Sequence, residues 1–186
     1  NEGGIDGTTR FLKNICGLWI FERVRAELGL QDADISELAA SCHDSVCRSI
    51  INPDDPSFAN PRSMVEAINA YCRAHGEEVP VTTADYVRVI YRSLARRVAE
   101  MLDVLKGFSP SPVKRLHVIG GGSRNGHLMQ MIADDCGIPV VAGPAECTAL
   151  GNVLVQLRGC GRADTLADMR RIAVNSTETK TYNPNI

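Results

Sequence analysis

An apolar run beginning at Leu116 ends in three consecutive glycines and passes straight into a helical pattern, and this stretch restricts the fold more than any other in the chain. Lys114-Arg115-Leu116-His117-Val118-Ile119 reads as a buried strand. Gly120-Gly121-Gly122 follows, then a helix from about Ser123 to Cys136. Gly137-Ile138-Pro139-Val140-Val141-Ala142 is a second strand, closed by Gly143-Pro144. A second helix runs from Glu146 to about Arg158. Strand, glycine turn, helix, strand, turn and helix in this order is the grammar of a parallel α/β layer. A further helix near Asp164 to Ile172 and a polar tail complete the chain.

The glycine turn makes a specific physical site. The backbone turns sharply there without a Cβ clash, and a ligand can approach the main chain closely. Free N–H groups at a helix start favour phosphate oxygens or polar ring atoms. No Gly-Lys-Ser/Thr is present, so this is not a P-loop. A dinucleotide fingerprint would place glycine where Asn125 stands, and an acid where Ala142-Gly143-Pro144 closes the second strand. A tight turn with no ligand is the bland alternative, and a Rossmann-type binder is another. In the second helix, Ala145, Ala149 and Gly151 allow close packing, and Leu150, Val153, Leu154 and Leu157 form the core stripe. Glu146 lies in its first turn, where a carboxylate suits the helix dipole and favours capping over ligand contact.

Composition removes several function classes. The 186 residues carry 20 Lys and Arg against 22 Asp and Glu, a net charge of −2, so no basic excess points to nucleic acid. No apolar run reaches membrane length, and the polar opening is not a signal peptide. The seven cysteines are irregularly spaced and sit mostly in apolar periodic stretches, which reads as buried thiols of a cytoplasmic protein. Cys42-His43 with Cys47 lacks the paired spacing of a zinc centre.

Before the Ser109-Pro110-Ser111-Pro112 break the chain reads as mainly helical. Asp6-Gly7 marks a hairpin turn in a β-compatible opening. Ile15, Leu18, Trp19 and Ala26 recur on one helical face. Asp34-Ile35-Ser36-Glu37 starts a second helix ending near Cys42. Asn60-Pro61 reads as the cap and first residue of a third, through Cys72 and ended by His75-Gly76. Thr82 to Asp85 opens the longest helix, striped by Val87, Ile90, Tyr91, Leu94, Val98, Leu102 and Leu105.

The run Leu116 to Asn125, the strand Gly137 to Pro144 and the Thr148-Ala149-Leu150-Gly151-Asn152 helix together resemble the adenosine-binding segment of the FGGY carbohydrate kinases. Asn1-Glu2-Gly3-Gly4, the block Arg10 to Trp19, and Ile51-Asn52-Pro53-Asp54-Asp55 are similar to the rhamnulokinase branch of that family. The matches run from residue 1 to about Pro184.

The resemblance implies an α/β lobe of the actin-like, ribonuclease H-like ATPase fold: a mixed sheet with helices packed around it. It implies that residues 1–186 form the C-terminal, nucleotide-binding domain, with the sugar-kinase N-terminal lobe outside this chain. It implies that Gly120, Gly121 and Gly122 meet ATP, and that Asn125 contacts adenine or ribose. Asn14 becomes the sugar contact, with a helix N-cap as its bland reading. Glu22 stands where relatives tend to carry a neutral Gln near ATP, and an acid beside polyphosphate needs a cation or an Arg; a surface salt bridge is the alternative. The implied reaction moves the γ-phosphoryl of ATP to L-rhamnulose, giving ADP and L-rhamnulose 1-phosphate. The catalytic Asp, the phosphate-binding turn and most of the Mg²⁺ contacts then belong to the other lobe. The chain alone is accordingly expected to be inactive. Another sugar kinase of the family, for fuculose or xylulose, and a non-catalytic nucleotide- or sugar-binding module stay open. An apolar surface near residues 1–20 and a tendency to self-associate are also expected.

Overall fold

Helix α4, Thr83–Lys106, is the spine around which the first part of the chain assembles. Thr82 caps it: Thr82 Oγ1 accepts from the Asp85 N–H and the Asp85 carboxylate accepts from the Thr82 N–H. Its apolar stripe is buried at Val87, Ile90, Tyr91, Leu94 and Leu102, whereas Leu105 is exposed near the last turn. The computed structural model describes residues 2–185, so Asn1, which opens one of the resembling blocks, lies outside the described residues. The chain divides into two units, Asn1–Phe108 and Ser109–Ile186.

In the first unit, strands β1 (Glu2–Gly3) and β2 (Thr9–Arg10) pair antiparallel. The expected Asp6-Gly7 turn joins them, both residues having positive φ. Helix α1 spans Trp19–Glu27, four residues later than its apolar spacing suggests, because residues 11–17 run without regular structure. It buries Ile20, Phe21 and Val24, while the expected face residues Trp19 and Ala26 are exposed. Phe21 stacks obliquely on Tyr91 of α4 at 5.4 Å. Helix α2, Ile35–Ala40, is capped by Asp34, which accepts from Ser36 and Glu37 N–H. Arg88 of α4 donates to the Cys47 and Cys42 carbonyls and so fixes the segment that follows α2.

Helix α3 spans Met64–His75 and ends on left-handed Gly76, as expected. Its cap is Ser63 rather than Asn60, because a group from α1 selects it. The Glu27 carboxylate accepts from Ser63 Oγ and from the Met64 and Val65 N–H groups at 2.8, 2.6 and 3.1 Å. The carboxylate thus takes up first-turn donors that a helix cannot satisfy internally. Between α3 and α4 the buried Tyr86 hydroxyl donates to Asn69 Oδ1 at 2.8 Å. Exposed apolar side chains do occur in the opening segment, at Phe11, Leu12 and Trp19. The Phe11 ring lies 5.7 Å from that of Phe108.

Asp85 does more than cap. Burial pushes its carboxyl up, but bonds from Ser45 Oγ and the Thr82 and Val81 N–H groups prevail and hold it at about 2. The folded value is below the ordinary one, so the unfolded chain takes the proton first. This contribution is complete above about pH 4 and lost as pH falls to about 2. Asp85→Asn should therefore cost about 2 kcal/mol at pH 7 and remove that acid-dependent part. Urea unfolding across the acid range checks it; equal pH dependence of the two proteins would contradict it.

The second unit holds a three-stranded sheet in the order β3 (Leu116–Val118), β4 (Val140–Ala142), β5 (Lys180–Tyr182). Strands β3 and β4 are parallel, with Leu116 opposite Val140 and Val118 opposite Ala142. The helix between them is α5, Gly126–Cys136. Strand β5 lies antiparallel on β4, so the sheet is mixed. The expected buried strand is an edge strand instead: Leu116 and Val118 are half-buried and His117 exposed, while Val140 and Ala142 of the middle strand are buried. The polar tail supplies β5 because Gln130 and Asp134 of α5 bind it through Asn183 O and the Asn185 N–H.

Helices α6 (Cys147–Gly159) and α7 (Leu166–Ser176) pack on each other. Leu154, Ala163 and Met169 are their core, flanked by Leu150, Leu157, Ile172 and Ala173. Val153, expected on the core stripe, is 52 % exposed. No disulfide joins any of the seven cysteines, and Cys42, Cys47, Cys72 and Cys136 are buried. Among the described residues no helix is long and apolar enough to cross a membrane.

Candidate functional site

The two strand exits of the second unit are stitched together. The Gly143 N–H donates to Val118 O at 2.8 Å, and the Gly120 N–H donates to Pro144 O at 3.1 Å. The Gly143-Pro144 peptide is cis. Gly120 has φ +86°, a conformation that L side chains rarely adopt. The chain then winds through a 3-10 turn, Gly121–Arg124. Buried Ser123 closes it, its N–H and Oγ both donating to Gly120 O at 3.0 and 2.7 Å.

Gly121 differs from its neighbours. It is exposed, its φ lies outside the left-handed region, and a Cβ built on it meets nothing within 4 Å. The fold itself does not need glycine there. Gly122 is half-buried, and its carbonyl accepts from the Asn125 N–H at 3.1 Å.

Helix α5 starts after this turn, not at Ser123 as the sequence suggests. Asn125 is its cap, Oδ1 accepting from the Leu128 N–H at 3.0 Å. The first turn of α5 is thereby partly satisfied from within. The main-chain surface presented beside Gly121 belongs to the 3-10 turn, whose first N–H groups have no partner inside it. Glu146 precedes α6 but makes no side-chain cap. Its carboxylate is 4.0 Å from Arg124 Nη2, and both side chains are mostly exposed.

The remaining sequence candidates lie in the first unit. Glu22 sits on the exposed side of α1 and pairs with Arg25 at 3.0 Å. Arg25 is mostly buried, and its Nε has no hydrogen-bond partner among the described residues. An Arg therefore does stand beside this carboxylate. Asn14 is exposed in the irregular segment before α1. It does not cap that helix, whose N-cap position is Leu18.

Asp54, named above only within the Ile51 to Asp55 block, also organises this unit. Its Oδ1 accepts from the Cys16 N–H at 2.7 Å and its Oδ2 from Arg97 Nε at 2.8 Å. Burial pushes its carboxyl up, but the Cys16 N–H, the Arg97 guanidinium and the Lys13 charge together draw it below the ordinary carboxylate range. The Asn52-Pro53-Asp54-Asp55 block was the one signal of it in the sequence.

Glu22 is the single carboxylate among the sequence-derived site residues, and it is already paired. These residues do not fit a Mg²⁺ cage, which takes oxygen ligands in near-octahedral order.

Comparison with known proteins identifies the family. The model of the FGGY family of carbohydrate kinases, C-terminal domain, matches residues 1–160. The rhamnulokinase of Bacteroides thetaiotaomicron is 50 % identical over 99 % of the chain, which covers 38 % of that protein. Those of Mannheimia succiniciproducens and Pectobacterium carotovorum are 43 % and 42 % identical over 98 % and 99 % of the chain. The chain spans 37–38 % of the length of these curated relatives. The xylulose kinase of Rhodospirillum rubrum superposes over 90 % of the chain and 33 % of its own, with a TM-score of 0.57 at 19 % identity, a likeness of fold. A family-model match over residues 1–160 and relatives 42–50 % identical over nearly the whole chain lead to one conclusion: the chain belongs to the FGGY family of carbohydrate kinases, as a C-terminal domain.

Proposed function

We propose that this chain is the nucleotide-binding lobe of a rhamnulokinase, which transfers the γ-phosphoryl group of ATP to L-rhamnulose and releases ADP and L-rhamnulose 1-phosphate. The observation that carries the nucleotide part is Gly121, where the fold leaves space it does not require for itself. The choice of sugar is supported by the rhamnulokinases matched over 98–99 % of the chain.

In this reading the main chain of Gly120, Gly121 and Gly122 lies against the nucleotide, and Asn125 borders its adenine or ribose. Glu22 acts with Arg25 at its side, the Arg offsetting the repulsion between a carboxylate and polyphosphate. Asn14 contacts the sugar. Mg²⁺ is carried by the phosphates and by groups of a second lobe in the longer protein. That lobe also supplies the base that takes the proton from the attacking hydroxyl. The protein works in the cytoplasm, where ATP is available and thiols stay reduced.

Calorimetric titration of the chain tests the site. ATP is expected to bind saturably and NAD⁺ not at all. A site that takes NAD⁺ in preference to ATP would overturn the reading. The full-length protein should release ADP in the presence of L-rhamnulose, and the 186 residues alone should not.

A further inference from the structure

The sugar candidate Asn14 lies in residues 11–17, which belong to no helix or sheet. Its position must be set by contacts from elsewhere in the unit. One of these reaches the backbone two residues on, where the Cys16 N–H donates to Asp54 Oδ1 at 2.7 Å. The other carboxylate oxygen is taken by Arg97 of α4, which also donates to Glu100 at 3.1 Å. Asp54 and Arg97 are about one-fifth exposed, so this charge-assisted pair is shielded from solvent more than a surface bridge is.

The loop bearing Asp54 is itself fixed. The Ile51 N–H donates to Ser93 Oγ on α4 at 2.9 Å, and the Asn52 N–H to the Tyr71 hydroxyl on α3 at 3.2 Å. Asn52 Oδ1 then accepts from the Asp54 N–H at 3.1 Å. A chain of directed bonds thus runs from α3 and α4 to the backbone two residues from Asn14.

We propose that Asp54, held by Arg97, is a positioning residue that fixes Asn14 for the ketose. The proposal rests on the reading of Asn14 as the sugar contact. A side chain misplaced by about 1 Å can cost on the order of 100-fold in rate, so loosening this strap should weaken use of the sugar without touching the nucleotide.

Steady-state kinetics of the full-length protein test it, with ATP and L-rhamnulose varied in turn. Asp54→Ala is expected to lower kcat/KM for the ketose about tenfold or more, leaving KM for ATP within about twofold. Arg97→Gln should shift the same constant in the same direction. In an Asn14→Ala background, Asp54→Ala should add less than about a further twofold, since both changes act through one side chain. Asp54→Asn keeps an acceptor for the Cys16 N–H and should fall between wild type and Asp54→Ala. It and Arg97→Gln carry the test should Asp54→Ala not fold, as judged by thermal melting.

Equal losses toward ATP and ketose would overturn the proposal, as would independent, multiplying effects of Asn14→Ala and Asp54→Ala. An Asn14→Ala defect with a silent Asp54→Ala removes the positioning role alone. A silent Asn14→Ala removes the sugar-contact reading, and the positioning role with it.

Discussion

Gly121→Val is expected to weaken ATP binding about 100-fold, close to 3 kcal/mol, while leaving the fold unchanged. The two halves of this expectation come from different facts. A Cβ at Gly121 meets nothing within 4 Å and the backbone there is not left-handed. The Cβ of the new residue therefore meets no clash. If ATP lies against this backbone, the valine methyl groups occupy the space the nucleotide needs. Gly120 could not serve as well, because φ +86° makes any side chain there strained whatever it binds. The measurement pairs calorimetric titration of ATP with a thermal melt. Unchanged affinity in the Gly121→Val protein would remove the glycine turn from the nucleotide site.

Gly143→Ala should do the reverse and damage the second unit directly, at about 3 kcal/mol. Gly143 has φ +102°, and a Cβ there lies 2.9 Å from the Glu178 carbonyl oxygen. That neighbour is backbone leading into β5, so it cannot swing aside as a side-chain tip would. The residue also donates its N–H to Val118 O, so any shift pulls on the exit of β3. Urea unfolding of Gly143→Ala beside Gly121→Ala gives the comparison. Similar stabilities for the two would contradict the contact at Glu178.

The features readable from sequence were those decided within a few residues. The Asp6-Gly7 turn, the helix start at Thr82 to Asp85, the glycine stop at Gly76 and the β3–α5–β4 run all carry their cause locally. The misplaced features have distant causes. Ser63 rather than Asn60 caps α3 because Glu27 reaches it from α1. Ile15 to Leu18 have helical spacing yet precede α1, in a segment whose Cys16 N–H goes to a carboxylate 38 residues away. Lys180–Tyr182 become a strand through pairing with β4, which no polar tail announces by itself. The same division holds for the site. Three glycines after a strand signal an open backbone turn, but the partners of Asp54, Cys16 and Arg97, lie 38 and 43 residues away in sequence.

The Glu27 carboxylate has a dynamic consequence. The amide protons of Met64 and Val65, at a helix end, would ordinarily fray on their own. Here they are held by a residue at the last turn of α1. Unwinding that turn withdraws the acceptor and releases the start of α3 in the same event. Two helix ends separated by more than thirty residues of sequence are thus expected to open together.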